Sequence, residues 1–313
     1  MKRCIDSLSN CTGADRTELY IGLDFPAEES HWEGYRKICD YLPNIIGFKN
    51  VVIIRRDENQ GAAQNARDLL DIVHQKYDRY IFSEDDNEFS PNFLDYINKG
   101  LHKYRDNSEV VAICGYAQLG SRYDCMKTYP FNAYPIIGYN AWGVGVWFDK
   151  KPTFATTACD EILSSFKTVF NAVKLNQGIA IHRMMYRKRR DATGDLLWRL
   201  YCAFNKKYCI YPKISKVRNW GFDGSGINSR AMTFYSKMEI DKEKTFEYDN
   251  FEIKAYSEVS ILQKKLYGFK GIYLFAFLLE YPLYRITGGT CLGDIKLIGK
   301  IIKLKLALKN SVK

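Results

Sequence analysis

The chain has 313 residues, 46% hydrophobic and 15% aromatic, enough for one large or two small domains with a proper core, which excludes a disordered polypeptide. Its formal net charge of +10 points to an anionic partner (a nucleotide, a phosphorylated acceptor, a membrane surface or nucleic acid) without choosing among them. Nine cysteines form an odd set with no CxxC pair and no paired histidine spacing for zinc, the usage of reduced thiols, and the N-terminus lacks the apolar core of a signal peptide. These features predict a cytoplasmic location, and no stretch of about eighteen uncharged apolar residues exists to span a membrane.

Met1 to about Cys11 reads as an amphipathic helix. Glu18 to Asp24 is a strand ending on an acid, and Trp32 to Tyr41 a helix after the turn at Phe25-Pro26. Asn50 to Ile54 is a second buried strand, Arg55 to Gly61 a polar loop, and Ala62 to His74 a helix. Tyr80, Ile81 and Phe82 then form an apolar run of the kind found in central strands, leading straight into Glu84, Asp85 and Asp86. Ser90 suits an N-cap and Pro91 the first helical position, while Leu94, Ile97 and Leu101 recur at helical spacing, so a helix is expected from Pro91 to about His102. A strand from Glu109 to Cys114 follows. The alternation implies parallel strands with right-handed crossovers, and it sets the three acids at the carboxyl edge of the sheet, where open α/β folds bind ligands.

Past Cys114 the pattern is less regular. Tyr139 to Trp147 mixes rings with glycines, as either a pocket-lining strand and turn or a plain core strand would. Arg183 and Arg187 to Arg190 form a basic run, a solvated helix face or a seat for an anionic acceptor. A helix starts at Gly194-Asp195, and the plain role of Asp195 is to cap it. Cys209 to Pro212 is a short strand, and Asn219 to Gly226 a glycine-rich loop able to approach a phosphate closely. Residues 234–258 are charged and expected at the periphery. Gly271 to Leu279 is apolar but ends at Glu280 and Pro282, too short to span a bilayer. Ile295 to Lys313 puts Lys296, Lys300 and Lys303 on one helical face with apolar residues over the rest; such a helix either lies in an anionic membrane interface or packs on the preceding domain.

Three adjacent carboxylates repel one another. Either they make a solvated acidic turn, or they serve a divalent cation: magnesium and manganese take one or two carboxylates and complete their shell with water and phosphate oxygens, which suits a nucleoside diphosphate.

Four pieces occur in order: Asn59-Gln-Gly61 with Asn65-Ala-Arg67; Glu84-Asp-Asp86 with Ser90-Pro91; Trp142-Gly143; and Gly194-Asp195 followed by Tyr211-Pro212 and Gly221-Phe-Asp-Gly-Ser-Gly226. Together they resemble the nucleotide-sugar glycosyltransferases of the GT-A fold, on the inverting branch similar to family 2 and N-acetylglucosaminyltransferase I. The resemblance covers residues 1–230 and leaves 231–313 as a helical, basic C-terminal extension. It implies a Rossmann-like α/β fold with a mixed, mostly parallel sheet and helices on both faces. By the same resemblance Glu84-Asp85-Asp86 is the family's DxD-type element beside the donor, with Asp86 the ligand of manganese or magnesium. Asp24 matches the acid near the nucleotide, Trp142 with Gly143 the segment stacked on a sugar ring, and Asp195 the base that activates the acceptor hydroxyl. The implied partners are an NDP-sugar, UDP-sugar first, and a bacterial cell-envelope glycan or lipid-linked acceptor at the cytoplasmic membrane face, with no nucleic acid; the basic C-terminal helix read from its own pattern offers peripheral membrane contact. The departure is at the front: family members begin with an apolar strand, lying between those at 19–23 and 80–83, that this sequence lacks. Two other classes compete. One is a non-catalytic glycan- or nucleotide-binding relative; the other, a metal-dependent nucleotidyltransferase, ranks last because no lysine-bearing phosphate loop precedes the acids.

Overall fold

A computed structural model describes residues 1–118, 123–186, 194–223, 233–269 and 271–287. The chain divides into two compact units, residues 1–151 with 207–259, and residues 152–206 with 260–313.

The first unit is α/β. It opens with α1 (Lys2–Ser9), β1 (Glu18–Leu23), α2 (Trp32–Tyr41), β2 (Asn50–Arg55) and α3 (Ala62–His74), all within a residue or two of their expected bounds. β1 and β2 pair in parallel, Glu18 opposite Asn50 and Leu23 opposite Arg55. Side chains alternate across a strand, so Ile21 and Leu23 pack with Ile5 of α1 and Ile38 of α2, while Gly22 faces Asn65 of α3. Helices therefore cover both faces of this pair.

A five-stranded sheet follows in the order β3 (Arg79–Phe82), β7 (Val144–Trp147), β5 (Val110–Cys114), β8 (Tyr208–Pro212), β6 (Ala133–Ile136). Only β5 and β8 run parallel in it; β3–β7, β5–β7 and β6–β8 are antiparallel. The class is α/β with mixed pairing, and the parallel pattern implied by the early alternation stops at Cys114. β4 (Asn87–Phe89) and β9 (Val217–Asn219) form a separate antiparallel ribbon, Asn87 opposite Asn219. The expected helix after the acids starts later than predicted. Pairing with β9 holds residues 87–89 extended, so α4 runs Phe93–Lys103 with Asn92 at its N-cap position. Ser90 is buried and donates to Asn92 Oδ1 at 2.9 Å instead of capping. β3 is likewise an edge strand rather than a central one. Among the described residues it pairs only with β7, and β1 only with β2.

α4 closes the core with Phe93, Leu94, Tyr96, Ile97 and Leu101 buried. A Cβ on Gly145 would lie 2.4 Å from Ile97, so that glycine lets α4 seat on β7. The segment expected at the periphery is a strap across α4. Phe246 N donates to the Asp95 carboxylate at 2.7 Å, Lys99 Nζ to the Phe246 carbonyl at 2.9 Å, and Tyr248 OH to the Tyr96 carbonyl at 3.0 Å. Its aromatic side chains turn inward while Glu247 pairs with Lys99, a division that a charge count along the sequence does not reveal. Short helices α5 (Asp124–Lys127) and α10 (Thr233–Ser236) complete the unit.

The second unit is helical. Its elements are α6 (Ala158–Ser164), α7 (Phe166–Lys174), α8 (Gly178–Tyr186), α9 (Gly194–Phe204), most of α11 (Ser257–Tyr267) and α12 (Ile272–Ile286). Leu163, Val169, Ile181, Met184, Leu200, Phe277 and Tyr281 form its core. α12 does not end at Glu280; Pro282 lies inside it. The expected helix at 295–313 lies outside the described residues. Among the described residues no helix is long and apolar enough to cross a membrane, and Cys4, Cys11, Cys39, Cys114, Cys159, Cys202 and Cys209 form no disulfide.

Candidate functional site

The acidic turn leaves β3 at Phe82 and enters β4 at Asn87. Glu84 and Asp85 are exposed, whereas Asp86 is half-buried. Asn219 sits at the end of β9, buried, and its amide nitrogen donates to Asp86 Oδ1 at 2.8 Å and to Asn87 Oδ1 at 3.0 Å. Asn87, also buried, donates to Ser83 Oγ at 2.9 Å. The chain past β9 closes the other side: Trp220 N donates to the Asp86 carbonyl at 2.9 Å, and Gly221 N to Asn219 Oδ1 at 2.9 Å. Gly221 lies so close that a Cβ there would fall 2.0 Å from Asp86 Oδ2. Two buried amides and a glycine therefore set one carboxylate in place. Burial, with the neighbouring Asp85 charge, pushes the Asp86 carboxyl up from its ordinary value against the pull of Asn219.

Cationic groups surround the turn. The N-terminal ammonium of Met1 lies 3.4 Å from Asp85 Oδ2. The Arg3 guanidinium stacks 3.9 Å from the Trp220 ring, and the Trp220 indole donates to Glu88 Oε2 at 2.7 Å. Cys4 donates weakly to the Glu84 carbonyl at 3.7 Å, and burial pushes its thiol up to about 12.

Loop 219–223 links the acids to the second expected feature. Phe222 meets Trp142 at 5.6 Å and Tyr235 at 4.2 Å, and Trp142 also contacts Tyr116 at 4.8 Å. Trp142 is half-buried in this ring cluster. Gly143, with φ of +64°, serves the packing of the unit. A Cβ there would meet Phe93 at 2.8 Å, and its carbonyl accepts from Gly115 N at 2.7 Å.

Asp24 stands at the end of β1 with both oxygens engaged. Oδ1 accepts from Phe25 N at 3.0 Å and Gln60 N at 2.9 Å, and Oδ2 from Gly61 N at 2.8 Å and Asn59 at 3.3 Å. It fastens the Asn59-Gln-Gly61 loop to β1 and so fixes the start of α3. Asn65 adds a second clamp, donating to the Gly22 carbonyl at 2.9 Å. Asp195 belongs to the second unit, exposed in the first turn of α9. The structure thus joins Glu84, Asp85 and Asp86 to Trp142 through loop 219–223, uses Asp24 to hold a loop, and carries Asp195 on a different unit. Residues 224–226 and 187–190 lie outside the described residues.

Sequence reasoning missed Asn87 and Asn219. The available signal was slight: an asparagine directly after the acids and another directly before Trp-Gly, with no way to see that they face each other.

Among the described residues no cluster of three or more His, Cys, Asp or Glu side chains is arranged to hold a metal ion. A magnesium- or manganese-type site needs only one or two carboxylates when substrate phosphate supplies the rest. Asp86 fits that requirement: Asn219 occupies Oδ1, and Oδ2 lies against the space a Cβ on Gly221 would fill. Comparison with protein-family models and with curated proteins finds no match.

Proposed function

We propose that the chain is a metal-dependent glycosyltransferase of GT-A type that moves a sugar from an NDP-sugar, UDP-sugar first, to a cell-envelope glycan or lipid-linked acceptor at the cytoplasmic membrane face. The observation that carries this reading is the clamped Asp86. A half-buried carboxylate is held against its desolvation cost by Asn219, which is itself fixed by Asn87 and Gly221, beside two exposed acids and a ring cluster that includes Trp142. A purely solvated acidic turn has no need of such a clamp.

In this reading Asp86, with Asp85 or Glu84, holds manganese or magnesium, which when bound neutralises charge on the leaving diphosphate. Arg3 adds positive potential at the same edge. Trp142 and its neighbours offer ring faces to the sugar. Asp195, assigned by resemblance, takes the proton of the acceptor hydroxyl as its oxygen bonds to the anomeric carbon. The bond from that carbon to the diphosphate oxygen breaks, and the nucleoside diphosphate leaves with inversion.

Calorimetric titration of UDP into the full chain, with manganese and then with excess chelator, tests the donor half. Binding only with manganese supports it; loss of that binding in Asp86→Ala assigns the residue. Transfer to acceptor tests the rest, with Asp195→Asn expected to keep donor binding and lose turnover. Manganese-dependent binding without diphosphate release favours the non-catalytic reading, and pyrophosphate as product the nucleotidyltransferase.

A further inference from the structure

α12 is apolar around nearly its whole circumference, and a helix of that kind is ordinarily buried on all sides. Among the described residues only one side is covered. Ala276, Phe277, Tyr281 and Tyr284 are buried in the core of the second unit, while Phe275, Leu278, Leu279, Leu283 and Ile286 are exposed by 58, 39, 55, 45 and 81%. At 3.6 residues per turn these five occupy an arc of roughly 140°. Phe166 of α7, 49% exposed, stacks edge-on against Tyr281 at 5.0 Å and adds to the apolar surface. The charged residue on the exposed side is Arg285, and the acid of this helix, Glu280, is buried.

Single exposed leucines need no explanation, but a continuous apolar ridge does. The sequence beyond α12 supplies the complementary clue. Residues 288–313 contain Lys296, Lys300, Lys303, Lys305, Lys309 and Lys313 against the single acid Asp294. A second copy on this face would bring like charges together, whereas a surface of anionic lipid would not. A helix of fifteen residues rises only about 22 Å, short of the ~30 Å hydrocarbon core, so it suits lying along a bilayer rather than across it.

We propose that the outward face of α12 is a docking surface for an anionic lipid bilayer. The helix lies in the interface plane with Phe275, Leu279, Leu283 and Ile286 toward the acyl chains, and the positive charge of the sequence that follows it favours anionic lipid. This goes beyond the donor-site reading and stands without it, since its test reads lipid binding and not sugar transfer.

The test uses the full chain, sedimented with vesicles of phosphatidylcholine alone and of phosphatidylcholine mixed with phosphatidylglycerol, and light scattering for mass in solution. Binding to the mixed vesicles is expected to exceed binding to the neutral ones and to weaken with salt. Leu279→Ser combined with Ile286→Ser removes two exposed apolar side chains and is expected to lower the partition at least ~10-fold. Should that double variant fail to fold, Ile286→Trp keeps the question open to measurement: its emission is expected to shift to the blue on mixed vesicles relative to the parent chain. No binding to mixed vesicles overturns the proposal, as does equal binding to both kinds or parental binding by a folded double variant. A dimer that the double variant dissociates, without vesicle binding, assigns the face to a second copy instead.

Discussion

Gly221→Ala bears directly on the contact that makes the site. The new Cβ would fall 2.0 Å from Asp86 Oδ2 and 3.0 Å from its Cγ. A carbon–oxygen contact needs about 3.3 Å, so the nearer oxygen must retreat by ~1.3 Å. It cannot do so freely, because Asn219 holds Oδ1 at 2.8 Å and Trp220 N holds the Asp86 carbonyl at 2.9 Å. The methyl group therefore costs the Asn219–Asp86 hydrogen bond, of a kind worth about 1.5–3 kcal/mol when one partner is charged. Asp86 is only half-buried, which favours the lower end, and at ~2–4 °C per kcal/mol the expected fall in Tm is about 3–6 °C. A displacement of about 1 Å at a reacting centre typically costs ~100-fold, and manganese-dependent UDP affinity is expected to fall by at least that much. Calorimetry and a melting curve measure both effects. Gly138→Ala serves as the control, since a Cβ there meets nothing within 4 Å. Parental UDP affinity and parental Tm in Gly221→Ala would refute the argument that this loop sets the carboxylate.

Burial and Asp85 together raise the Asp86 carboxyl, so the folded state favours its protonated form; the ionised form costs stability at neutral pH, and that cost is relieved as pH falls through the raised value. Asp86→Asn is accordingly expected to raise Tm at neutral pH while abolishing manganese-dependent UDP binding, and a lowered Tm would count against this. Because proton and metal compete for the same oxygens, UDP affinity with manganese should begin to weaken above the ordinary aspartate range, and a midpoint at or below about 3.9 would contradict it. Lys216 is buried against Asp241, so Lys216→Met strands a carboxylate and should cost ~3–5 kcal/mol in urea unfolding, with most of it recovered in the double variant with Asp241→Asn; equal instability of single and double would reject the pairing. Gly34 sits exposed within α2 with open space at its Cβ position, and Gly34→Ala should add about 0.5–1 kcal/mol without altering UDP binding, a gain that loss of stability would rule out.

Local periodicity carried the first half of the fold. α2 and α3 begin and end where their apolar spacing puts them, and β1 stops at the acid that was expected to end it. What periodicity could not show was pairing between distant short strands. Asn87–Phe89 and Val217–Asn219 are each three residues long and polar in part, and neither reads as a strand until the other lies beside it. That single pairing delayed α4, displaced Ser90 from its capping role and brought Asn219 onto Asp86. The strap at 239–256 was missed for a related reason. Its aromatics are spaced by neither the helical nor the strand period, and their burial depends on α4 presenting Gly100 to Tyr248. Of the site, the acids and the glycine loop were visible as residue types, but the use of Asp24 to hold its loop was not, since four backbone and amide donors around one carboxylate leave no pattern in sequence.

The Asp86 clamp is only as firm as what stands behind β9. Lys216 immediately precedes that strand, and its carbonyl accepts from Ser90 N at 2.9 Å while its backbone amide donates to the Gly115 carbonyl at 2.8 Å. Its side chain points the other way, into the interior, where it meets Asp241 and lies 4.5 Å from the Phe246 ring. Asn92 donates to the same Asp241 carboxylate at 3.1 Å. The strap across α4, the residue that opens α4 and the strand that delivers Asn219 therefore meet at one buried ion pair. A carboxylate that must keep its place while charged and partly desolvated needs partners that cannot drift. The chain provides them by tying loop 219–223 to the packed face of α4 through Lys216, not by adding further ligands at the turn itself.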